Sequence, residues 1–289
     1  MQQISFSIPP SLWAGNPANL SDKTRARYRR EIRRLATKKW RDIKQEHKLQ
    51  FLNKFTIEIT AISPYTPYMD PIECEESVKT LIDSAIGILW EDDDSSRRIQ
   101  TSYQNSNTVS DDGKYQIIMN IYNQDDENDH EEYLSQNHNR SLNREITYKT
   151  TIANNMLITS NVSNYKIITR GFADRNEISN SSDARKALIK ELSNHIKSEL
   201  KTKANHFQIQ TYHGPISNIT ARISYPINSV ADPDNNLETI AIIRQCMIDM
   251  GIIDDSDFIK YTINRDPTPS FIDPETNMPH TAVTMYIEK

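Results

Sequence analysis

The chain contains one sequence pattern twice, and this duplication constrains its fold more than any other feature. Asp70-Pro71 and the segment after it align without a gap on Asp232-Pro233, 162 residues further along. At the same offset, Asp92-Asp93 aligns with Asp254-Asp255. Because self-similarity at a fixed offset marks repeated structural units, we expect both copies to fold in the same way.

Each copy has the same predicted order of elements, β-α-β-α-β-β. Alternating apolar residues predict the strands, and a Ser-Asp pair suited to a helix N-cap precedes the first helix of each copy. In the first copy, strands are predicted at about 4–8, 55–59, 96–103 and 115–122, and helices at about 21–46 and 74–89. In the second copy, strands are predicted at about 165–169, 219–223, 257–264 and 281–288, and helices at about 182–204 and 235–251.

These elements predict an α+β protein made of two tandem repeats that form a pseudo-dimer. The first repeat is expected to cover residues 1–123, and the second to cover 161–289. Residues 124–160 are expected to be an acidic, Asn-rich linker, since much of this segment has too few apolar side chains to order itself. Within it, alternation around Ala153 predicts a hairpin.

The composition excludes several classes of protein. Six glycines form neither GxGxxG nor GxxxxGK[ST], which excludes the usual nucleotide-binding loops. Two cysteines, neither in a CxxC pair, support no disulfide framework and no zinc site. The mean hydropathy of -0.69, without a long apolar run, predicts no membrane span. The start of the sequence does not have the pattern of a signal peptide, so we expect a cytoplasmic protein.

Basic residues are concentrated in the first predicted helix. Residues 21–50 carry twelve basic and four acidic side chains, whereas 51–150 carry eight basic and nineteen acidic ones. A solvated basic surface is the ordinary explanation. Like charges four residues apart destabilise a helix, however, so a polyanion such as a phosphate backbone would suit these rows. The candidate DNA-binding residues are Arg25, Arg29, Arg30, Arg33, Arg34, Lys38 and Lys39. The apolar stripe of the same helix is predicted to contain Tyr28, Ile32, Leu35 and Ala36.

Acidic residues form the second candidate feature. In extended backbone Asp232 and Asp234 point the same way, and carboxylates held so close repel one another unless a cation lies between them. Mg²⁺ prefers a few carboxylates together with water and phosphate oxygens. The alternative is an Asx turn that caps the following helix. Further acidic pairs, Asp92-Asp93 and Asp254-Asp255, follow the second helix of each copy, where a solvated loop is the alternative.

The second copy resembles the RusA-type Holliday-junction resolvases. The resemblance lies in Asp232-Pro233-Asp234-Asn235, the apolar helix through Gly251, and Asp254-Asp255, and it covers most of residues 164–289. It implies acidic residues that bind Mg²⁺, a dimeric arrangement, and symmetric cleavage of four-way DNA junctions. Glu238 stands where the family has a lysine, which puts the cleavage step in question.

The first copy resembles the family in a degenerate form. Asp70 matches the first aspartate, Ile72 replaces the second, and Glu73 stands at the position of Asn235. The chain therefore resembles a fused, single-chain version of the family's dimer, and we expect it to act as a monomer.

The length of the second helix leads to a hypothesis about the metal sites. A straight helix over 236–250 separates its ends by roughly 22 Å, so Asp234 and Asp255 cannot share an ion. Antiparallel pairing of the two second helices about a pseudo-dyad would instead join opposite ends of the two copies. The predicted complete site, whose residues are also the candidate catalytic residues, consists of Asp92, Asp93, Asp232 and Asp234. The predicted weaker site consists of Asp70, Glu73, Asp254 and Asp255.

The expected function is that of a Mg²⁺-dependent, structure-specific endonuclease that cuts branched DNA during recombination or repair. Two alternatives remain open. One is a DNA-structure-binding protein that has lost cleavage through Ile72 and Glu238. The other is a protein-interaction module whose basic helix meets an acidic partner, and its binding to DNA would lack a steep dependence on salt.

Overall fold

A computed structural model describes two compact units of the chain. The description of the first unit covers residues 2–13, 22–93 and 97–125. That of the second covers 149–153, 156–160, 164–169, 216, 218–224, 237–255, 259–265 and 281–288, together with residues 189–190, 193–194, 196–198 and 200–201.

The first unit has the predicted order of strands and helices. Its strands are β1 (Gln2–Ile8), β2 (Phe55–Ile62), β3 (Arg98–Asn105) and β4 (Tyr115–Asn123). Its helices are α1 (Asp22–Glu46) and α2 (Glu75–Asp83), and short 3-10 helices cover Pro10–Leu12 and Pro71–Cys74.

The four strands form a mixed sheet in the order β1-β4-β2-β3. β4 is antiparallel to both β1 and β2, with Ile8 opposite Tyr115 and Ile62 opposite Gln116. β2 and β3 are parallel, and α2 lies between them in the sequence. The ends of β1, β2 and β3 and the start of β4 therefore lie at the same end of the sheet.

The core of the first unit lies between one face of this sheet and the helices. Alternate residues of β1 are buried, as expected for a strand with one face in the core. Trp40 of α1 packs at 5.0 Å from the Phe6 ring, and its indole N–H donates to the Leu81 carbonyl of α2. The buried stripe of α1 consists of Ile32, Ala36, Trp40 and Ile43. Leu35, which the sequence placed in this stripe, is 47% exposed, so that part of the prediction is wrong.

The helix predicted at the position of α2 is also too long. The helix was expected to continue to residue 89 but ends at Asp83. The following residues make tighter backbone bonds, such as Ala85 N–H to the Ile82 carbonyl, and Gly87 adopts a positive φ of 74°. This left-handed conformation, three residues beyond the C-cap Ser84, excludes an α-helix that runs through to residue 89.

The described strands of the second unit form two sheets. β5 (Lys149–Ala153) and β6 (Met156–Ser160) pair antiparallel in the segment where the sequence predicts a hairpin. β7 (Asn164–Thr169), β8 (Asn218–Ser224), β9 (Lys260–Arg265) and β10 (Thr281–Glu288) are arranged in the order β7-β10-β8-β9. β10 is antiparallel to β7 and β8, and β8 is parallel to β9. This order and these directions match those of β1-β4-β2-β3.

The helical part of the second unit includes α3 (Leu237–Asp249), between β8 and β9, and described helical residues between 189 and 201. Leu237, Ile240, Ile243 and Met247 of α3 are fully buried. The observed elements confirm an α+β fold. None of the helices in the described part of the chain is both long and apolar enough to cross a membrane.

Candidate nucleic-acid interface and acidic residues

Some basic residues of α1 contact other elements of the first unit, whereas others face solvent. Arg29 forms an ion pair with Glu76 of α2, whose side chain is 2% exposed. Arg33 lies 3.7 Å from the Asp83 carboxylate at the end of the same helix. These contacts attach α1 to α2, so two of the predicted DNA-binding residues also have a structural role.

Lys39 contacts β1. Its ammonium group donates to the Ser5 carbonyl and lies 5.1 Å from the centre of the Phe6 ring. Partial burial lowers the pKa of Lys39 below its ordinary value. Lys39 is therefore turned toward the sheet, away from the direction expected of a phosphate-binding side chain.

Four other basic residues of α1 form an exposed row, which we call the basic face. It consists of Arg30, Arg34, Lys38 and Arg41, all of them exposed. They line a shallow depression of about 520 Å³ together with Arg33, Thr37 and Asp42. Arg34 also lies 3.3 Å from Glu31 on the same helix. The sequence prediction missed Arg41, although its spacing from Arg30, Arg34 and Lys38 continues the same helical row.

Arg25, the remaining candidate for DNA binding, belongs to α1, but its side chain lies outside the described part of the structure.

The concentration of positive charge on the basic face can bind a chain of phosphates, since exposed cations attract a polyanion without strict geometry.

Asp70 and Glu73 lie just before α2, beyond the end of β2. The Glu73 amide donates to the Asp70 carbonyl at 2.9 Å. Desolvation, and then the charge of Asp70, raise the pKa of Glu73 above its ordinary value. Two carboxylates that disfavour each other's charge are suited to a cation, but they are only two ligands. The side chain of Ile72 lies outside the description.

Asp92 and Asp93 lie at the opposite end of the first sheet, because they precede β3 whereas Asp70 follows the parallel strand β2. Asp92 is exposed, and its carboxylate accepts the Asp93 N–H at 2.8 Å. Asp93 is buried and pairs with Arg98, whose Nη2 lies 3.2 Å from the carboxylate and whose Nε donates to the Asp93 carbonyl at 3.1 Å. The Asp93 carboxylate therefore already has a cationic partner.

In the second unit, Asp254 and Asp255 are both exposed. Asp255 pairs with Arg244 of α3, whose side chain is 8% exposed. Asp232 and Asp234, the strongest candidates for metal ligands, lie outside the described residues, as does the side chain of Glu238. In the part of the chain that is described, no group of three or more His, Cys, Asp or Glu side chains could hold a metal ion.

Comparisons with known protein families, with curated proteins and with solved structures give no match.

Proposed function

We propose that the chain is a Mg²⁺-dependent, structure-specific endonuclease that acts on branched DNA and is built from two tandem RusA-like repeats. Two features support the repeats. The sequence pattern recurs at a constant offset, and the sheets β1-β4-β2-β3 and β7-β10-β8-β9 share one strand order with the same directions.

The basic face of α1 is the observation that carries the proposal of DNA binding. Its four cations extend along about three turns of one helix, over roughly 16 Å at 1.5 Å per residue. Charges this close together are within about two Debye lengths at physiological salt, so a phosphate backbone lying along the helix would interact with several of them at once. Contacts of these side chains with phosphates would not require a particular base, which suits recognition of DNA by its shape.

The acidic residues are the proposed metal ligands. The candidates are Asp70, Glu73, Asp92 and Asp93 in the first unit, Asp254 and Asp255 in the second, and Asp232 and Asp234 from the sequence alone. When bound there, Mg²⁺ would supply charge stabilisation for phosphodiester hydrolysis. Asp70 and Glu73 suit this chemistry because each disfavours the charge of the other.

A second candidate function is binding of branched DNA without cleavage. The ion pairs Asp93–Arg98 and Asp255–Arg244 favour it, because an arginine that already neutralises a carboxylate competes with a metal for that ligand. On this alternative, the basic face would be retained while the acidic residues serve the fold.

A labelled four-way junction incubated with the protein and Mg²⁺ distinguishes the two functions. The endonuclease proposal expects cleavage products, and Asp234→Asn should abolish them while leaving the junction bound in a gel shift. Binding without cleavage by the unaltered protein would instead support the second candidate. Failure of the protein to bind any junction would contradict both.

The role of the basic face is tested by the salt dependence of binding. In Arg30→Gln/Lys38→Gln, each lost phosphate contact should reduce the slope of log K against log salt by about 0.9. The matched control is Lys54→Gln/Lys114→Gln, which removes the same charge from exposed positions outside α1. An equal change in the two double variants would show that only net charge matters, and would contradict a specific role for α1.

A further inference from the structure

A group of aromatic side chains lies at one end of the first unit, which we call the aromatic end. It consists of Trp13 after β1, Tyr65 and Tyr68 after β2, and Tyr115 at the start of β4. Trp13 and Tyr115 stack with parallel rings 4.0 Å apart. The Tyr65 ring lies 5.9 Å from Tyr115 at an angle of 79° and is 65% exposed. Tyr65 and Tyr115 therefore form two nearly perpendicular aromatic walls beside solvent.

Hydrogen bonds fix the loop that carries Tyr65 and Tyr68. The Ser63 hydroxyl accepts the Tyr65 N–H at 3.1 Å, and the Ser63 carbonyl accepts the Ser110 N–H at 3.0 Å from the loop after β3. The Tyr68 N–H donates to the Ser106 carbonyl at 2.7 Å. Tyr68 has a positive φ of 57°, which is unfavourable for a bulky residue, and its side chain is 41% exposed. The loop thus holds two tyrosines at the surface.

The electrostatic environment of the aromatic end is negative. Desolvation raises the pKa of Tyr115, and the nearby Tyr65 and then Glu73 raise it further, so the Glu73 charge acts at this ring. Exposed Asp111 and Asp112 lie on the loop that Ser110 joins to Ser63, and the exposed Lys114 of this loop, 4.0 Å from Asp112, offsets one of these charges. Phosphates would be repelled here, whereas a cation would be attracted both by the carboxylates and by the faces of the rings.

Basic side chains stack on aromatic rings elsewhere in the described part of the chain. Such pairs involve Phe6, Tyr28, Phe51 and Tyr286, but none involves Tyr65 or Tyr115. No described cation therefore occupies these two rings; Trp13 covers one face of Tyr115, whereas Tyr65 is largely exposed to solvent.

We propose that the aromatic end is a docking surface for a basic peptide segment of a partner protein, whose arginine or lysine side chain lies against Tyr65 and Tyr115. Charge complementarity selects this partner over a nucleic acid. The proposal goes beyond the nuclease function and does not depend on it.

Binding of a fluorescently labelled tri-arginine peptide to the full chain tests the proposal. The titration is followed by anisotropy at physiological salt, with EDTA present so that no divalent ion occupies the carboxylates. Tyr65→Leu should weaken binding about two- to fivefold, the range for a cation over an exposed ring. Tyr65→Phe keeps the ring and should bind within about twofold of the unaltered chain.

Matched variants separate this surface from general attraction of charge. Phe51→Leu removes another exposed aromatic ring of the first unit, and Glu91→Gln removes an exposed carboxylate that precedes β3. Tyr65→Leu and Glu73→Gln should weaken binding more than these two controls do. Equal effects, or no effect of Tyr65→Leu, would overturn the proposal. So would an oligothymidylate probe whose binding, unlike that of the peptide, is lost in Tyr65→Leu, since that result would indicate stacking on bases.

Discussion

Asp93 and Asp255 are 162 residues apart, at matching positions of the recurring sequence pattern, but they form different ion pairs in the two units. Asp93 pairs with Arg98, and their side chains are 4% and 0% exposed. Asp255 pairs with Arg244, which comes from α3 instead of the following strand, and the Asp255 side chain is 72% exposed. Equivalent acidic residues therefore form a core ion pair in one unit and a surface pair in the other.

This difference shows that matching sequence positions do not ensure matching roles. A buried carboxylate that neutralises a buried guanidinium is needed for the fold, and its removal leaves an uncompensated charge. An exposed carboxylate contributes little to stability and remains accessible to a ligand. The comparison can be tested by substitutions on each side.

The largest effect is expected for Asp93→Ala. It leaves the Arg98 guanidinium buried without this carboxylate, and breaking such a pair costs about 3–5 kcal/mol of unfolding free energy. All three tryptophans of the chain, Trp13, Trp40 and Trp90, belong to the first unit, so urea unfolding followed by tryptophan fluorescence reports on this unit. A loss below about 1 kcal/mol would place the pair in the same class as surface ion pairs.

Arg98→Lys should have an intermediate effect. Lysine stands 162 residues further along, at Lys260, the offset at which the sequence pattern recurs. Arg98 uses Nη2 for the Asp93 carboxylate and Nε for the Asp93 carbonyl, whereas a single ammonium group cannot reproduce that fork. We expect a loss of about 1–3 kcal/mol in the same tryptophan-detected transition. Stability equal to that of the unaltered chain would show that the positive charge alone is sufficient.

Asp255→Ala should destabilise the protein by about 1 kcal/mol or less, because solvent screens the exposed carboxylate. Urea unfolding followed by far-ultraviolet circular dichroism measures this effect. A loss as large as that of Asp93→Ala would remove the distinction between the two pairs.

The sequence predicted most of the secondary structure because the relevant signals are local. Alternating apolar residues gave the strands of both units, and helical spacing gave α1. The end of α2 was missed because Ile86, Ile88 and Leu89 continue an apolar pattern beyond it. Gly87 was nevertheless a signal in the sequence that the helix does not reach residue 89, because this glycine adopts a left-handed conformation that an α-helix cannot contain.

The division of charged residues between fold and function could not be predicted in the same way. The rows of arginine on α1 suggested a polyanion, but the carboxylates that neutralise Arg29 and Arg33 come from α2, a separate helix later in the chain. Asp93 and Arg98 are only five residues apart, yet their burial depends on the packing of the whole unit. Contacts between distant segments decide which charges remain exposed, and periodicity does not contain that information.

The smallest expected effects concern pH and differ in sign between the two units. Burial and Asp70 raise the pKa of Glu73 above its ordinary value of 4.5, so the folded state takes up a proton more readily than the unfolded state. Ionised Glu73 therefore opposes folding, and stability falls as the pH rises through the interval above 4.5. Glu73→Gln should stabilise the protein near neutral pH.

Asp249 of the second unit should behave in the opposite way. Its carboxylate accepts a 2.6 Å hydrogen bond from Lys197, which is the main reason that the pKa of Asp249 lies below its ordinary value of 3.8. The stabilisation is present above 3.8 and is lost as the pH falls through the lowered value, so Asp249→Asn should destabilise the protein near neutral pH. Urea unfolding at about pH 7 measures the two signs, and repeating it at about pH 4 for the Glu73 variant and at about pH 2 for the Asp249 variant should shrink each difference from the unaltered chain. Two shifts of the same sign at neutral pH would contradict the assignment, because a disfavoured carboxylate and a paired one cannot respond alike to loss of charge.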